Sequence, residues 1–453
     1  MKKRNVFTSF GESIVAQVER LSNIAASLGF EIQAGGAGSN IGKPPFIGLS
    51  AGAYSSGKRP APGIVIGLDI GTTKIVAIAA RMNKSQKIEV IGFSETVSEG
   101  VLRGKILNIA KTTASVKFVL EELSRQIDME IDIVTVNISG NIKTLCQRGI
   151  CVTIDSGKEI QKEDIEKLCG QISPLLLPPG EAIIYTQVQE FEVDGLKGII
   201  NPLGMIGSRL EADFKIISSP AISVKNVYKC VENSGHKIQH IWPAPLACGE
   251  SVLSEDEKEE GVVLIDIGGS TTDIVIYKNK IMRHMEVIPL GGNSITQDIK
   301  YWSGLSFKQS ELLKKELGTA LAETINDNEL ITVTSFQGKR KMNLPRKNLA
   351  QVIQARVEEL LTFVINIIKS SGIEDDLHCG IVLTGGTALL PGIKDIIKEM
   401  TRLSCQIGLP DLYLSPNKIL APDIYQKLLS PPYSTAIGLV KIGLDNKLSG
   451  DVL

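Results

Sequence analysis

The sequence has almost no charge imbalance. Its 49 Lys and Arg stand against 50 Asp and Glu, a formal net charge of −1 over 453 residues. That leaves no basic field of the kind a dedicated nucleic-acid binder uses, so no nucleic-acid partner is expected. Long apolar runs are missing too: none approaches the ~18 residues of a membrane-spanning helix. The opening "MKKRNVFTSFGE" is basic, but no apolar stretch follows it, which argues against a secretory signal. Cysteine is sparse and unpaired. Cys146, Cys151, Cys169, Cys230, Cys248, Cys379 and Cys405 are odd in number and include no C-x-x-C pair. Such a set fits reduced, buried thiols rather than a disulfide framework or a zinc site. The absences together predict a soluble, cytoplasmic protein.

What is present is material for a large core. With 43% hydrophobic residues and this length, two or three packing units are expected. Residues 1–62 stand apart. Ser9 and Glu12 form a capping-box pattern, after which Ile14, Val18, Leu21, Ala25 and Leu28 recur at helical spacing. The stretch "AGGAGSNIGKPPFIGLSAGAYSSGKRPAPG" that follows reads as a linker. From Ile64 the chain is dense in β-branched residues. A β-hairpin or meander is predicted over Ile64–Gly92, then "NIAKTTASVKFVLEELSRQI" as a helix and "IDIVTVNI" as a strand. Strands alternating with helices recur in the second half, which indicates α/β units twice over.

Two stretches are near copies of one another: "GLDIGTTKIVAIAA" from Gly67 and "LIDIGGSTTDIVIY" from Leu264. Each delivers an Asp at the end of a strand and follows it with a turn rich in glycine and hydroxyls. Glycine lets the main chain approach a ligand closely, and successive N–H groups make an anion-binding concavity. A single turn of this kind is better explained as an ordinary hairpin whose Asp makes an Asx-turn. Two of them suggest a pseudo-twofold pair gripping a polyphosphate from both sides. Asp69 and Asp266 would then meet near its charge and require a cation between them, with Mg²⁺ held through water the usual solution. A third element, "LTGGTALLPGI", places Gly385 and Gly386 on a strand-to-helix turn where backbone can lie against a nucleoside.

The motifs "GLDIGTTK", "GVVLIDIGGSTTDI", "IPLGGNSITQDI", "GIVLTGGTALLPGI" and "PYSTAIGL" resemble the actin–hexokinase–heat-shock chaperone ATPase superfamily. Within it the chain is most similar to the FtsA family of bacterial cell-division proteins, from about Ile64 to Gly443. The resemblance implies an α/β actin-like ATPase fold: two ribonuclease H-like lobes around a nucleotide cleft, with a small inserted α/β subdomain on the first lobe. The implied division is 63–97 for the first lobe, 98–177 for the inserted unit and 178–260 for the first lobe again. The second-lobe core then takes 261–292 and 371–422, its upper subdomain 293–370, and residues 423–453 return to the first lobe. Implied cofactors are ATP and Mg²⁺. Phosphate binding would fall to Asp69, Gly71, Thr72, Thr73 and Lys74, and to Asp266, Gly268, Gly269, Ser270, Thr271 and Thr272. Nucleoside binding would fall to Gly291, Gly292, Glu311, Lys314, Lys315, Gly385, Gly386 and Thr387. Implied partners are further copies of the chain in filaments, the tubulin-like division protein FtsZ and other division proteins, at the cytoplasmic face of the cell membrane.

Two neighbouring functions fit less well. A small-molecule kinase of this fold needs a carboxylate beside an acceptor pocket, and none stands in such a context between Ser98 and Gly180. A chaperone would carry a substrate-binding domain after "STAIGL". A pilus-assembly-type actin-like ATPase is the alternative that sequence separates least. Chaperone-like and filament-forming relatives place an acid before a proline upstream of the second turn. "WPAPLACGES" offers Trp242 or Ala244 there, with Glu250 several residues away, so no catalytic residue is assigned and slow or negligible turnover is expected. FtsA-family chains typically end in a basic amphipathic helix, whereas "DNKLSGDVL" has no such stripe. Lys2, Lys3, Arg4, Phe7, Phe10 and the stripe from Ile14 to Leu28 would instead supply a peripheral membrane contact.

Overall fold

Two five-stranded sheets carry the same strand order. In the computed structural model, which describes residues 63–155, 157–172, 177–334, 341–416 and 419–448, the helix and linker expected in 1–62 lie outside the described residues. Of the hairpin and the meander expected from Ile64, the structure has the meander: β1 (Ile64–Ile70), β2 (Lys74–Met82) and β3 (Ile88–Val97). A hairpin of β4 (Val101–Leu102) and β5 (Lys105–Ile106) leads to α1 (Ile109–Ile127) and β6 (Ile133–Ile138). Next come β7 (Lys143–Thr153), α2 (Lys162–Gly170), β8 (Glu181–Val193), β9 (Leu196–Ile199) and β10 (Arg209–Pro220). α3 (Ala221–Asn233), β11 (Lys237–Pro243), α4 (Ala244–Val252) and α5 (Glu255–Glu260) complete the first half.

The second half opens with β12 (Val262–Ile267), β13 (Thr272–Lys278) and β14 (Ile281–Ile288). It continues through α6 (Gly292–Ser303), α7 (Phe307–Leu317), the hairpin β15 (Leu330–Thr334) and β16 (Lys341–Pro345), and α8 (Arg346–Ser370). β17 (Ile381–Thr384), α9 (Ile393–Thr401), β18 (Cys405–Ile407), α10 (Pro422–Leu428) and α11 (Ser434–Leu448) follow. The first sheet runs β11–β6–β1–β2–β3 and the second β14–β13–β12–β17–β18. Each is an antiparallel meander whose first strand also pairs in parallel with a fourth.

Side-chain alternation explains where the aspartates face. Ile64, Ile66, Leu68 and Ile70 enter a core with Val116 and Leu120 of α1, whereas Val65 enters one with Ala436 and Val440 of α11. In β12, Val263, Ile265 and Ile267 pack with residues of α6 and α8, whereas Val262 and Leu264 pack with Leu246 and Val252 of α4. Successive residues of a strand point to opposite faces. Asp69 therefore shares a face with Val65, and Asp266 with Val262 and Leu264. Both carboxylates face the middle layer of α4 and α11, which lies between the two sheets. Those helices cross closely: a Cβ on Gly438 would overlap the carbonyl oxygen of Ala247.

The inserted unit lies further along the chain than 98–177. Residues of that range supply α1 and β6 to the first lobe, because the apolar face of α1 (Val116, Val119, Leu120 and Leu123) is buried against the first sheet. β6 pairs in parallel with β1 and β11. The separate sheet is β7–β10–β8–β9, with α2 against it. It also reaches the second lobe. Thr144 Oγ1 donates to the Met285 carbonyl at 2.8 Å, Gln189 Nε2 donates to that of Met282 at 3.2 Å, and Met282 N–H donates to Gln187 Oε1 at 3.3 Å.

Candidate functional site

The two matched sequence turns are matched hairpins. The Gly71 N–H donates to the Lys74 carbonyl at 3.1 Å, and the Gly268 N–H to that of Thr271 at 2.9 Å. Each four-residue loop follows a closing pair, Ile70 with Ile75 and Ile267 with Thr272. They meet across the molecule, since a Cβ on Gly269 would collide with the Thr73 hydroxyl. Between them opens a cleft of about 560 Å³, within the range of small-molecule sites.

The first turn contributes Asp69, Gly71, Thr72, Thr73 and Lys74 to the cleft wall, and the second Asp266, Gly268, Gly269 and Thr271. Gly292, Glu311, Lys314, Lys315, Gly385, Gly386 and Thr387 line the remainder. Three expected residues do not line it. Ser270 is buried with its hydroxyl accepting from Asn293 Nδ2 at 3.1 Å, and Thr272 donates to the Leu290 carbonyl at 2.9 Å. Gly291 backs directly onto Gly268 and Gly269. Gly385 adopts φ +87°, and any Cβ there would collide with the Asp266 carboxylate; glycine is required on both counts. Gly386 has open space on its Cβ side.

Asp69 is held by a residue the motif does not contain. Asn137 Nδ2 donates to Asp69 Oδ1 at 2.6 Å, while its own Oδ1 accepts from the Ile70 N–H at 2.8 Å. The signal was an amide in the otherwise strand-like "IDIVTVNI". Burial pushes the Asp69 carboxyl up to about 6; Lys74 opposes the shift and Asp266 adds to it. Burial likewise brings the Lys74 ammonium down to about 7, against the pull of Asp69 and Glu95. That ammonium lies 3.0 Å from the centre of the Tyr433 ring, another cleft residue outside the expected set.

A further carboxylate lies beside Asp266. Asp273 stands directly opposite it in the β12–β13 ladder, is 6% exposed and lines the cleft. Burial raises Asp266, and burial with the charges of Asp266 and Asp69 raises Asp273 well above the ordinary carboxylate range. Among the described residues no group of three or more His, Cys, Asp or Glu side chains has the geometry to hold a metal ion directly. The crowded carboxylates would suit a cation that keeps its waters, which Asp69 and Asp266 would reach through them.

The charged trio on α7 divides its roles. Lys314 Nζ donates to the Gly292 carbonyl at 2.9 Å, to Thr296 Oγ1 at 2.8 Å and pairs with Glu311 at 2.7 Å. Two of these contacts brace the start of α6, and the third stays within α7. Lys315 is exposed and pairs with Glu311 at 3.2 Å. At the position where an acid was sought, Ala244 presents a methyl to the cleft, and Trp242 is in the core beside Tyr185. Glu250 turns away to Lys258 at 2.8 Å and Lys441 at 2.9 Å.

Residues 263–438 match the family model "Cell division protein FtsA", and residues 140–218 match "SHS2 domain inserted in FTSA". The FtsA of Pseudomonas aeruginosa is 33% identical over 388 residues, covering 85% of this chain and 91% of the relative. The chain belongs to the FtsA family of cell division proteins. FtsA of Bacillus subtilis is 33% identical, covering 84% of each chain, and that of Escherichia coli K12 is 32% identical, covering 86% of this chain and 92% of its own. The SHS2 match coincides with the separate sheet β7–β10–β8–β9, so the FtsA-type insertion is that sheet. Among solved structures, the PilM–PilN type IV pilus biogenesis complex shares the fold, with a TM-score of 0.60 at 14% identity over 84% of this chain and 98% of its own. This FtsA-family chain has the actin-like ATPase fold, two related lobes around a central cleft.

Proposed function

We propose that this FtsA-family protein binds Mg²⁺–ATP in the central cleft, self-associates when loaded, and links the tubulin-like FtsZ ring to the membrane and to other division proteins. The observation that carries the reading is the pair of matched hairpins facing one another across a cleft lined by glycine backbone, hydroxyls and carboxylates. The backbone N–H groups of Gly71–Lys74 and Gly268–Thr271 would cradle phosphate oxygens, and Lys74 would leave the Tyr433 ring for the phosphates. Gly385–Thr387 would lie against the nucleoside. Mg²⁺ would neutralise phosphate charge, with Asp69 and Asp266 as its partners through water. Ala244 offers no group to orient an attacking water, so turnover is expected to be slow, and sugars or glycerol should not stimulate it.

The pilus-assembly reading has only fold-level support, whereas the FtsA relatives match at about 33% identity across most of the chain. Membrane contact through residues 1–28 is part of the proposal; none of the described helices is long and apolar enough to cross a membrane. The deciding experiment titrates ATP in Mg²⁺ by calorimetry and then sediments the loaded protein with and without FtsZ. Saturable ATP binding and nucleotide-dependent co-sedimentation with FtsZ are expected. Absence of ATP binding would reject the cleft assignment, and binding without FtsZ co-sedimentation would reject the linker role. Flotation with anionic liposomes, before and after removal of residues 1–62, tests the anchor.

A further inference from the structure

The cation of the first turn rests on an aromatic face. Lys74 Nζ lies 3.0 Å from the centre of the Tyr433 ring, and that ring is fixed at its far edge. The Tyr433 hydroxyl donates to Glu95 Oε2 at 2.7 Å, and the Phe93 and Tyr433 rings meet edge to face with centres 5.7 Å apart. Glu95 also pairs with Lys427 of α10. Tyr433 is 5% exposed, so the ring is shielded from water. An ammonium is drawn to the ring quadrupole, the more so when desolvated. A hydroxyl that donates to a carboxylate leaves its ring richer in electrons, and the Glu95 charge adds its own attraction. Burial disfavours the Lys74 charge; Asp69 and Glu95 favour it, and Lys427 opposes it. Lys427 thus works against the hold that Glu95 creates. Its side chain is 45% exposed, whereas Lys74 and Tyr433 both line the cleft. A chain of four side chains therefore runs from the surface at α10 to the cleft wall.

We propose that Tyr433 and Glu95 are positioning residues that hold the Lys74 ammonium away from the nucleotide phosphates, and that Lys427 at the surface sets how firmly they hold it. The inference rests on the nucleotide reading above and adds to it a control point outside the cleft. Phosphate must draw Lys74 off the ring, so whatever strengthens the hold weakens nucleotide binding. An acidic group that captured Lys427 would free the full Glu95 charge and lower nucleotide affinity; Lys427→Gln mimics that capture.

The test titrates the full chain with ATP by calorimetry at one fixed MgCl₂ concentration. Glu95→Gln is expected to tighten binding about 3-fold and Lys427→Gln to weaken it about 3-fold, each a fraction of a desolvated cation–π contact. The opposite signs matter, because a purely structural role for the Glu95–Lys427 pair would make both variants act alike. In a Lys74→Met background both effects should vanish. Their persistence there would assign them to the two charges acting directly on ATP and overturn the inference. Changes in the same direction, or none, overturn it as well and leave the nucleotide reading standing. Protein carrying ¹³C-lysine reports the ammonium independently of ATP. An ε-methylene signal shifted upfield by the Tyr433 ring, and absent from Lys74→Met, is expected in nucleotide-free protein. It should return to its ordinary position in Tyr433→Leu and on adding Mg²⁺–ATP. An ordinary Lys74 signal in nucleotide-free wild type overturns the inference. Failure of wild type to bind ATP would remove the nucleotide reading, and this inference with it.

Discussion

Asn137 uses both ends of its amide on β1, holding the Asp69 carboxylate and the Ile70 N–H at once. Asn137→Ala is therefore expected to lower Mg²⁺–ATP affinity about 10-fold, as loss of a metal partner's orienting contact does, and to cost about 1–3 kcal/mol for the unpaired N–H. Calorimetry and denaturant titration read the two effects separately. The neighbouring glycines should separate in the opposite sense. Gly386→Val adds a side chain into open space, so it should keep the wild-type melting temperature while abolishing ATP binding. Gly385→Ala should lower the melting temperature, because it combines φ +87° with a collision against Asp266. These residues also mark how far the site was legible. The turn residues could be read because hairpin chemistry is local. Asn137 could not, because it meets Asp69 from 68 residues away through strand pairing. Asp273 was visible as an acid in "TTDIVIY", but its significance appears only once β13 is placed opposite Asp266.

At the scale of elements, three helices are stapled by one carboxylate. Glu250 on α4 bonds Lys258 on α5 and Lys441 on α11, and Lys441 also pairs with Asp445 at 3.0 Å. Burial acts against the Glu250 charge, but the two ammonium groups hold its carboxyl far below the ordinary value of 4.5. Its contribution is thus fully present above pH 4.5 and is lost as pH falls below that value. Glu250→Gln leaves the buried Lys258 with Glu255 and the part-buried Lys441 with Asp445 as their remaining acidic partners, so a loss of about 2 kcal/mol is expected at pH 7 for the weakened charged hydrogen bonds. The wild-type and variant stabilities should draw together progressively as pH falls from 4.5 toward the depressed folded-state value, and urea titrations across that range would show it. Most elements were readable from periodicity: α1 is capped by Asn108 and buries Val116, Val119, Leu120 and Leu123. α7 ends at Leu317, where Gly318 turns the backbone extended. The insertion boundary was not legible in the same way. Apolar alternation marks β6 and β7 equally as strands, but does not say which sheet each joins.

For the whole molecule, duplication of one sheet topology accounts for the cleft, and the insertion accounts for what departs from symmetry. Leu196, Ile200 and Ile206 on the inserted unit are each more than 60% exposed, an apolar surface suited to meeting another protein. Replacing all three with serine is expected to abolish nucleotide-dependent sedimentation while ATP affinity stays near wild type. Removing the whole unit should instead change both, because Thr144, Gln187 and Gln189 tie it to β14 of the second lobe. Those three bonds make the insertion a strap between the lobes. If a neighbouring molecule pulls on the strap, it shifts the same equilibrium that ligand in the cleft shifts, and the two effects must be equal in free energy. A subunit in the interior of an assembly would then hold its nucleotide with a different affinity from one at an end, so a growing polymer would carry its own record of position.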